Sequence, residues 1–491
     1  MTKFATQFMA AHRVSTPLVS VRTFDAKSTI DHITSFQVKS QGELKTIGEA
    51  ISLIAWDCVT GLIGRNKQGE KTLANAITQA QSSVAVTVQL PEALRVAGYL
   101  GEDVILFVSN AHLFWSESTT IQGTWNLRDS FKAWGSMLVL LTGNGAILPT
   151  ELANDFLVLD EPLPTKEDLT KIVMDTFTFA KLPLPSDDII NDAVKALIGL
   201  PSFTAEQSTA MCMDVPAKKL DLDGLWERKR QAINQTRGLS VLQTDADVDS
   251  IGGLEQFKGY LEALMSGKDS PNVILVFDEI EKSFAGMGTD TSGTTTKMGG
   301  NILSWSQDTG MRGIIAVGVP GAGKTEMAKA IANKYGKPCI AFNLADMESG
   351  LVGSSNEYLR NAQAVIDSIS DKRVLAIATS NNIDSLPAEI QRRFATEGIF
   401  FFDAPTPLER ESIWNVYRSK YSITDTDVTP NDTGWTGAEI KNCALKAHRL
   451  SIPLKQASQY IVPVTVSNAS RIDALRSSCN GKYLSASYTG V

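Results

Sequence analysis

Short, almost wholly apolar runs recur along this chain, each closed by a polar residue and followed by a helical stretch. The clearest are Val104-Ile-Leu-Phe-Val-Ser, Met137-Leu-Val-Leu-Leu-Thr, Val273-Ile-Leu-Val-Phe, Ile314-Ile-Ala-Val, Val374-Leu-Ala-Ile-Ala-Thr-Ser and Gly398-Ile-Phe-Phe-Phe. Runs this apolar do not alternate between a wet and a dry face. They suit strands covered on both sides, as in a parallel sheet between helices. Glu326-Met-Ala-Lys-Ala-Ile-Ala and the stretches 222–235, 437–450 and 468–477 read as helices. Ala285-Gly-Met-Gly-Thr-Asp-Thr-Ser-Gly-Thr-Thr-Thr has no periodicity and reads as a flexible loop. Strands alternating with helices predict an α/β fold.

The pattern occurs twice. Val104 to His112 parallels Val273 to Glu279, and Met137 to Leu152 parallels Leu375 to Ile390. Pro162-Leu-Pro-Thr-Lys-Glu-Asp-Leu likewise parallels Pro405-Thr-Pro-Leu-Glu-Arg-Glu. The expected organisation is an α/β domain over 1–184, a helical lid and linker over 185–245, a second α/β core over 246–420 and a helical lid over 421–491. Unrelated α/β repeats in the first half are the alternative.

Length fits this count, since 491 residues at roughly 150 per domain give about three compact units. The chain carries 46 Lys and Arg against 54 Asp and Glu, a net charge of −8. That balance argues against a protein whose main task is coating nucleic acid or an anionic membrane, and leaves nucleic acid open without pointing to it. Five cysteines, widely spaced, contain no Cys-x-x-Cys pair, and the four histidines stand singly, so a zinc site is not expected. No apolar run approaches the ~18 residues that span a bilayer, and 1–11 lack a signal-peptide core. The expectation is a soluble, cytoplasmic protein with no membrane partner.

One segment carries explicit chemistry. Gly318-Val319-Pro320-Gly321-Ala322-Gly323-Lys324-Thr325-Glu326 follows the apolar run 314–317 and opens a helix. Strand, glycine loop and helix form the context in which backbone N–H groups cradle phosphates, with Lys324 reaching the β/γ-phosphates and Thr325 the Mg²⁺. A P-loop needs a carboxylate strand, and 273–277 ends in Asp278-Glu279. Asp278 would hold the metal through its water shell, and Glu279 would deprotonate the attacking water. The strand from Val374 ends in Asn381, placed to touch the γ-phosphate or that water. Arg392 and Arg393 close a following helix. They read either as a solvated basic cap or, after a polar-tipped P-loop strand, as arginine fingers for a neighbouring subunit.

Taken together, these residues resemble the AAA+ ATPases. The P-loop, the Asp-Glu strand, the Asn-tipped sensor strand, the paired arginines and Thr436-Gly437-Ala438-Glu439-Ile440 match that family's parts. Asp249-Ser-Ile251-Gly252-Gly-Leu254 resembles the motif that holds adenine. The resemblance implies ATP and Mg²⁺ as ligands and a hexameric ring or spiral of copies. It implies Lys324 and Thr325 on phosphate and metal, Asp278 on metal, Glu279 on water and Asn381 as sensor. It puts Ile251 and Gly252 at the base, Gly437 and Ala438 in the lid, and Arg392 and Arg393 as fingers. More narrowly, the chain resembles the AAA family named after a hypothetical chloroplast reading frame. That likeness rests on Asp278-Glu-Ile-Glu-Lys282, Leu303-Ser-Trp305, Leu386-Pro-Ala-Glu, Leu222-Asp-Gly-Leu-Trp-Glu-Arg-Lys-Arg-Gln-Ala-Ile and Ile461-Val-Pro-Val.

The chain departs from the family's order. The Asp-Glu strand normally follows the P-loop, yet here Lys324 comes 45 residues after Glu279. Either one strand–helix unit, about 272–308, has moved upstream, which parallel sheets permit because each unit starts and ends on the same edge; or 273–277 is an unrelated strand. If the unit has moved, 273–277 should lie beside 374–378 with Asp278 close to Thr325. Asp346-Met-Glu-Ser-Gly-Leu351-Val352-Gly353 resembles the family's pore loop, with Leu351-Val352 in place of the usual aromatic; an ordinary surface loop is the alternative. The first half has no Gly-Lys-Thr loop and shows Ser109-Asn110 where the acids would stand, so it reads as an AAA-like domain without nucleotide chemistry. The expected function is an ATP-hydrolysing machine that remodels a protein or complex; the alternative is a slowly hydrolysing scaffold or nucleic-acid-associated assembly protein.

Overall fold

The computed structural model describes all residues except 1–2, 41–42, 144–145, 245–247, 249–250, 285–293, 348–353, 425–427, 480 and 488–491. The pore-loop residues Leu351 and Val352, part of the glycine–threonine loop and the first two residues of the Asp249 motif therefore lie outside the described residues. Two compact units emerge, Met1–Lys229 with Leu351–Ala364, and Arg230–Gly350 with Val365–Val491.

In the first unit the strands are β1 (Leu18–Arg22), β2 (Gln37–Ser40), β3 (Glu43–Thr46), β4 (Ser52–Asp57), β5 (Gly61–Gly64), β6 (Val104–Ser109), β7 (Met137–Thr142), β8 (Leu157–Asp160), β9 (Met213–Asp214) and β10 (Lys219–Leu220). β2–β3 and β9–β10 are small antiparallel pairs. The main sheet runs β5-β4-β6-β7-β1-β8, parallel throughout except for the β4–β5 hairpin. β6 and β7 are buried along almost their whole length, which is why their sequences are uniformly apolar.

The second unit holds β11 (Leu239–Val241), β12 (Val273–Phe277), β13 (Arg312–Gly318), β14 (Cys339–Phe342), β15 (Val374–Ser380), β16 (Gly398–Phe402) and β17 (Leu484–Ser485). Their order is β11-β14-β12-β15-β13-β16-β17. Five parallel strands form its centre, and four of them, β12, β13, β15 and β16, are apolar runs read from the sequence. Two short edge strands extend it to seven, β11 antiparallel to β14 and β17 parallel to β16. Ile274, Val276, Ile314, Ala316, Leu375 and Ile377 pack on one face against Met327, Ala328 and Ile331 of the helix Lys324–Lys334 and Phe257 and Leu261 of the helix Glu255–Ser266.

The two sheets share one spatial plan. Read across, β4-β6-β7-β1-β8 of the first unit corresponds to β14-β12-β15-β13-β16 of the second. In the first unit the chain visits these places in the order β1, β4, β6, β7, β8. In the second it visits the place equivalent to β6 first, as β12, and only then the place equivalent to β1, as β13. β12 lies beside β15 in register, Val273 opposite Val374 and Phe277 opposite Ala378. β13 flanks β15 on the other side, with Val317 opposite Ser380. The carboxyl ends of β12, β15 and β13 therefore align, which is where a doubly wound sheet presents its ligand site.

Candidate functional site

The P-loop takes its shape from positions where only glycine fits. A Cβ on Gly318 would lie 2.0 Å from the Phe402 carbonyl oxygen, so the loop leaves β13 pressed against β16. Gly323 caps the helix Lys324–Lys334 with φ 92°, a left-handed conformation that turns the first helical amides outward. Lys324 is buried at 8% exposure. Its Nζ donates to the carbonyls of Gly318 (2.8 Å) and Val319 (3.1 Å) and to Asn381 Oδ1 (3.0 Å). Burial pulls its pKa down to about 8, against the opposing pull of Glu281, Asp278 and Glu279.

Asp278 and Glu279 leave β12 toward the same loop. Asp278 Oδ1 accepts from the Thr325 hydroxyl at 3.1 Å and from the Thr379 hydroxyl at 2.5 Å. Thr379 Oγ1 in turn accepts the Glu279 backbone N–H at 2.9 Å. Glu279 sits in the left-handed region at φ 48°, an uncommon conformation for a residue with a side chain and one that clusters at functional sites. Its carboxylate accepts from Asn381 Nδ2 (3.3 Å) and Lys282 Nζ (2.5 Å). The first unit repeats this turn: Asn110, after β6, has φ 56° with an amide where Glu279 has an acid.

These groups open into a cavity of about 1060 Å³, lined also by Pro320, Gly321, Ala322, Glu326, Ile251, Gly252, Gly437 and Ala438. A Cβ on Gly321 would lie 3.0 Å from Ala438 Cβ, which seats the N-terminus of the lid helix Gly437–Leu450 directly on the loop. The Ala438 amide donates to the Gly321 carbonyl at 3.3 Å. At the other end, Leu254 has φ 62° and its N–H donates to Glu409 Oε1 at 3.0 Å. Burial alone would raise the Glu409 pKa. Hydrogen bonds from Ser487, Thr406 and Leu254 hold it below the usual carboxylate range.

Arg392 and Arg393 are not among the residues that line this cavity. They end the helix Ala388–Phe394, Arg392 exposed and Arg393 half-buried with its guanidinium against the Gln307 side-chain amide. Several working residues escape the sequence reading. Thr379 ties the two acids together, yet reads as one polar residue at the end of an apolar run. Glu281 accepts the Asn381 N–H at 3.0 Å, and its other oxygen is buried without a hydrogen bond among the described residues. Glu409 and Ser487 approach from distant segments. Only the Asp-Glu-Ile-Glu spelling hinted at Glu281; the other three carry no local signal.

The residues fit a magnesium nucleotide. The Thr325 hydroxyl and Asp278 carboxylate set two hard oxygens 3.1 Å apart beside a glycine cradle, a donor set that would suit Mg²⁺.

Comparison with known proteins points the same way. Residues 314–367 match the sequence model of the ATPase family associated with various cellular activities (AAA). Over this span the chain is similar to AAA ATPases. Residues 4–161 match the N-terminal domain of SpoVK-like AAA ATPases. The AAA domain-containing protein ycf46 of Guillardia theta is 20% identical over 91% of this chain and 87% of its own length, and that of Pyropia yezoensis is 24% identical over 77% and 81%. The ATP-dependent zinc metalloprotease FtsH of Mycoplasmoides gallisepticum is 24% identical over 30% of the chain and 27% of its own length. The AAA match begins in β13 and ends in the helix Ser354–Ser370, so the Asp-Glu strand, upstream of it, falls outside the matched span.

Proposed function

We propose that this chain hydrolyses ATP and works as a hexameric ring or spiral that remodels a protein or macromolecular complex. The observation that carries the reading is the convergence of Lys324, Thr325, Asp278, Glu279 and Asn381, from three adjacent strands, on one cavity. Lys324 lies beneath the loop, where a β/γ-phosphate would replace its bonds to the Gly318 and Val319 carbonyls. Thr325 and Asp278 would hold Mg²⁺, which when bound would neutralise charge developing on the phosphates. Glu279 takes the proton of the attacking water and Asn381 orients it. Arg392 and Arg393, absent from the lining of their own cavity, serve the cavity of the next copy. Ile251 and Gly252 hold the adenine, and Gly437 and Ala438 close the lid side.

The upstream position of β12 is read as a permutation of one strand–helix unit. Its support is internal: the first unit has the same sheet order with the unpermuted chain path. The first unit itself is read as a nucleotide-free partner. None of the five cysteines forms a disulfide, which suits a reducing compartment such as the cytoplasm, and no described helix is long and apolar enough to cross a membrane.

Two substitutions test the enzyme reading. Lys324→Ala removes the phosphate cation and is expected to abolish tight ATP binding. Glu279→Gln is expected to retain ATP while turnover falls by ~10²–10⁴, the range for a lost general base. ATPase rates equal to wild type in both variants would sink it.

A further inference from the structure

After the lid, the chain returns to the sheet it left. It leaves at Phe402, passes through the lid helices Gly437–Leu450 and Ala469–Cys479, and comes back as β17 on the outer edge beside β16. The lid is thus anchored at both ends. At its near end, Arg476 of the last lid helix pairs with Asp403 at 2.8 Å. Beyond β17, the Ala486 amide donates to the Phe401 carbonyl at 2.9 Å, and its carbonyl accepts the Phe257 N–H at 3.0 Å, satisfying one of the free amides in the first turn of the helix Glu255–Ser266. Ala486 is 1% exposed, within the core formed by Phe257, Phe400 and Phe402.

This anchorage delivers the next residue to the nucleotide cavity. Ser487 lines it and donates its hydroxyl to Glu409 Oε1 at 2.5 Å. The same oxygen accepts the Leu254 N–H, and it would lie 2.6 Å from a Cβ on Gly253, so the carboxylate rests on the glycine backbone. A continuous chain of hydrogen bonds therefore runs from the returning segment through Glu409 into residues 251–254, the wall assigned to the base.

We propose that the segment Leu484–Ser487 is a strap that positions the base-end wall of the nucleotide cavity, with Ser487 and Glu409 as its positioning residues. The inference rests on reading this cavity as the ATP site. It follows that lid and base wall are coupled: a lid movement that pulls on β17 loosens the hold of Ser487 on Glu409, and bound nucleotide resists that movement.

The test uses the full chain and a fluorescent ATP analogue. Ser487→Ala removes a hydrogen bond to a charged acceptor and is expected to weaken binding about tenfold, with KM rising more than kcat falls. Ser487→Thr keeps the hydroxyl and restores affinity. In a Glu409→Gln background, Ser487→Ala has little further effect, because the two act through one bond. Ala486→Pro, which deletes the N–H bonded to Phe401, weakens binding at least as much as Ser487→Ala; if it fails to fold, the Ser487 series decides alone. Wild-type affinity in both Ser487→Ala and Ala486→Pro, or a loss that threonine does not rescue, overturns the strap. A wild-type chain that binds no ATP overturns the ATP reading first, and the strap with it.

Discussion

At the residue scale, the most constrained group is Lys324, a buried ammonium whose protein partners are carbonyl and amide oxygens. Its pKa of about 8 lies below the free-lysine value, so the empty folded state binds fewer protons than the unfolded chain between about pH 8 and 10.5. The cost of burying the charge is thus fully present below pH 8 and is relieved as pH rises through that window. Without nucleotide, Lys324→Met is expected to stabilise the protein at pH 7, by up to about 3 kcal/mol from the size of the shift; the gain should shrink toward pH 10, as thermal unfolding across pH would show. ATP reverses the balance, because phosphate favours the ammonium. Nucleotide affinity should fall above pH 8, and proton uptake on binding is measurable by calorimetry in buffers of different ionisation enthalpy. Thr379 makes a second residue-scale case. Thr379→Val strips a hydrogen bond from Asp278 and leaves the Glu279 N–H without its acceptor, a loss worth about 1–3 kcal/mol. We expect reduced kcat with ATP binding largely kept, since Lys324 and the glycine cradle are untouched; loss of binding with unchanged kcat would contradict this role.

At the element scale, the two helices that follow β1 and β13 show what separates the two units. The helix Lys324–Lys334 begins at Gly323, and its first amides face the cavity. The helix Ala26–Thr34 begins at Asp25, whose carboxylate accepts the Lys27 and Ser28 N–H groups at 3.1 Å. A built-in anion occupies the place where a phosphate would bind, and only Thr23 and Phe24 separate that cap from β1. The intact chain should therefore bind one ATP, not two; a calorimetric stoichiometry of two per chain would refute an empty first unit. The same comparison explains what could be read beforehand. The long central strands were legible because strands buried on both faces must be continuously apolar, and the loop Gly318 to Glu326 because it is one short contiguous motif; Asp278, Glu279 and Asn381 stood out only as the polar ends of such strands. β11 and β17 were not legible, since Leu239-Ser-Val and Leu484-Ser are too short to carry a period. Glu409 and Ser487 became neighbours only when the chain closed back on its sheet from 78 residues away. The place of β12 beside β15 followed from chemistry rather than pattern: Asp278 had to reach Thr325.

At the scale of the whole molecule, the cavity is lined by Lys324, Lys329, Lys420 and Lys441 but by no arginine among the described residues, while Arg392 and Arg393 sit elsewhere on the same chain. Head-to-tail association, in which one surface meets a different surface of the next copy, brings the two together and closes into a ring if the rotation permits. An arginine finger contributes ~10³–10⁵ in rate, so the effect is large enough to separate cleanly. We expect the Arg392→Ala, Arg393→Ala double variant to bind ATP and hydrolyse almost none, and wild-type turnover per chain to rise steeply with protein concentration. The sharper test mixes that double variant with Glu279→Gln. Neither turns over alone, the first lacking fingers and the second lacking the base. In a mixed assembly, an intact Glu279 on one copy faces intact arginines on the next at roughly a quarter of the interfaces under random mixing. Activity should therefore reappear on mixing in about that proportion to wild type, and should vanish on dilution. A mixture as inactive as its components, or wild-type turnover that is independent of concentration in a strictly monomeric sample, would assign Arg392 and Arg393 to the solvated end of their helix instead.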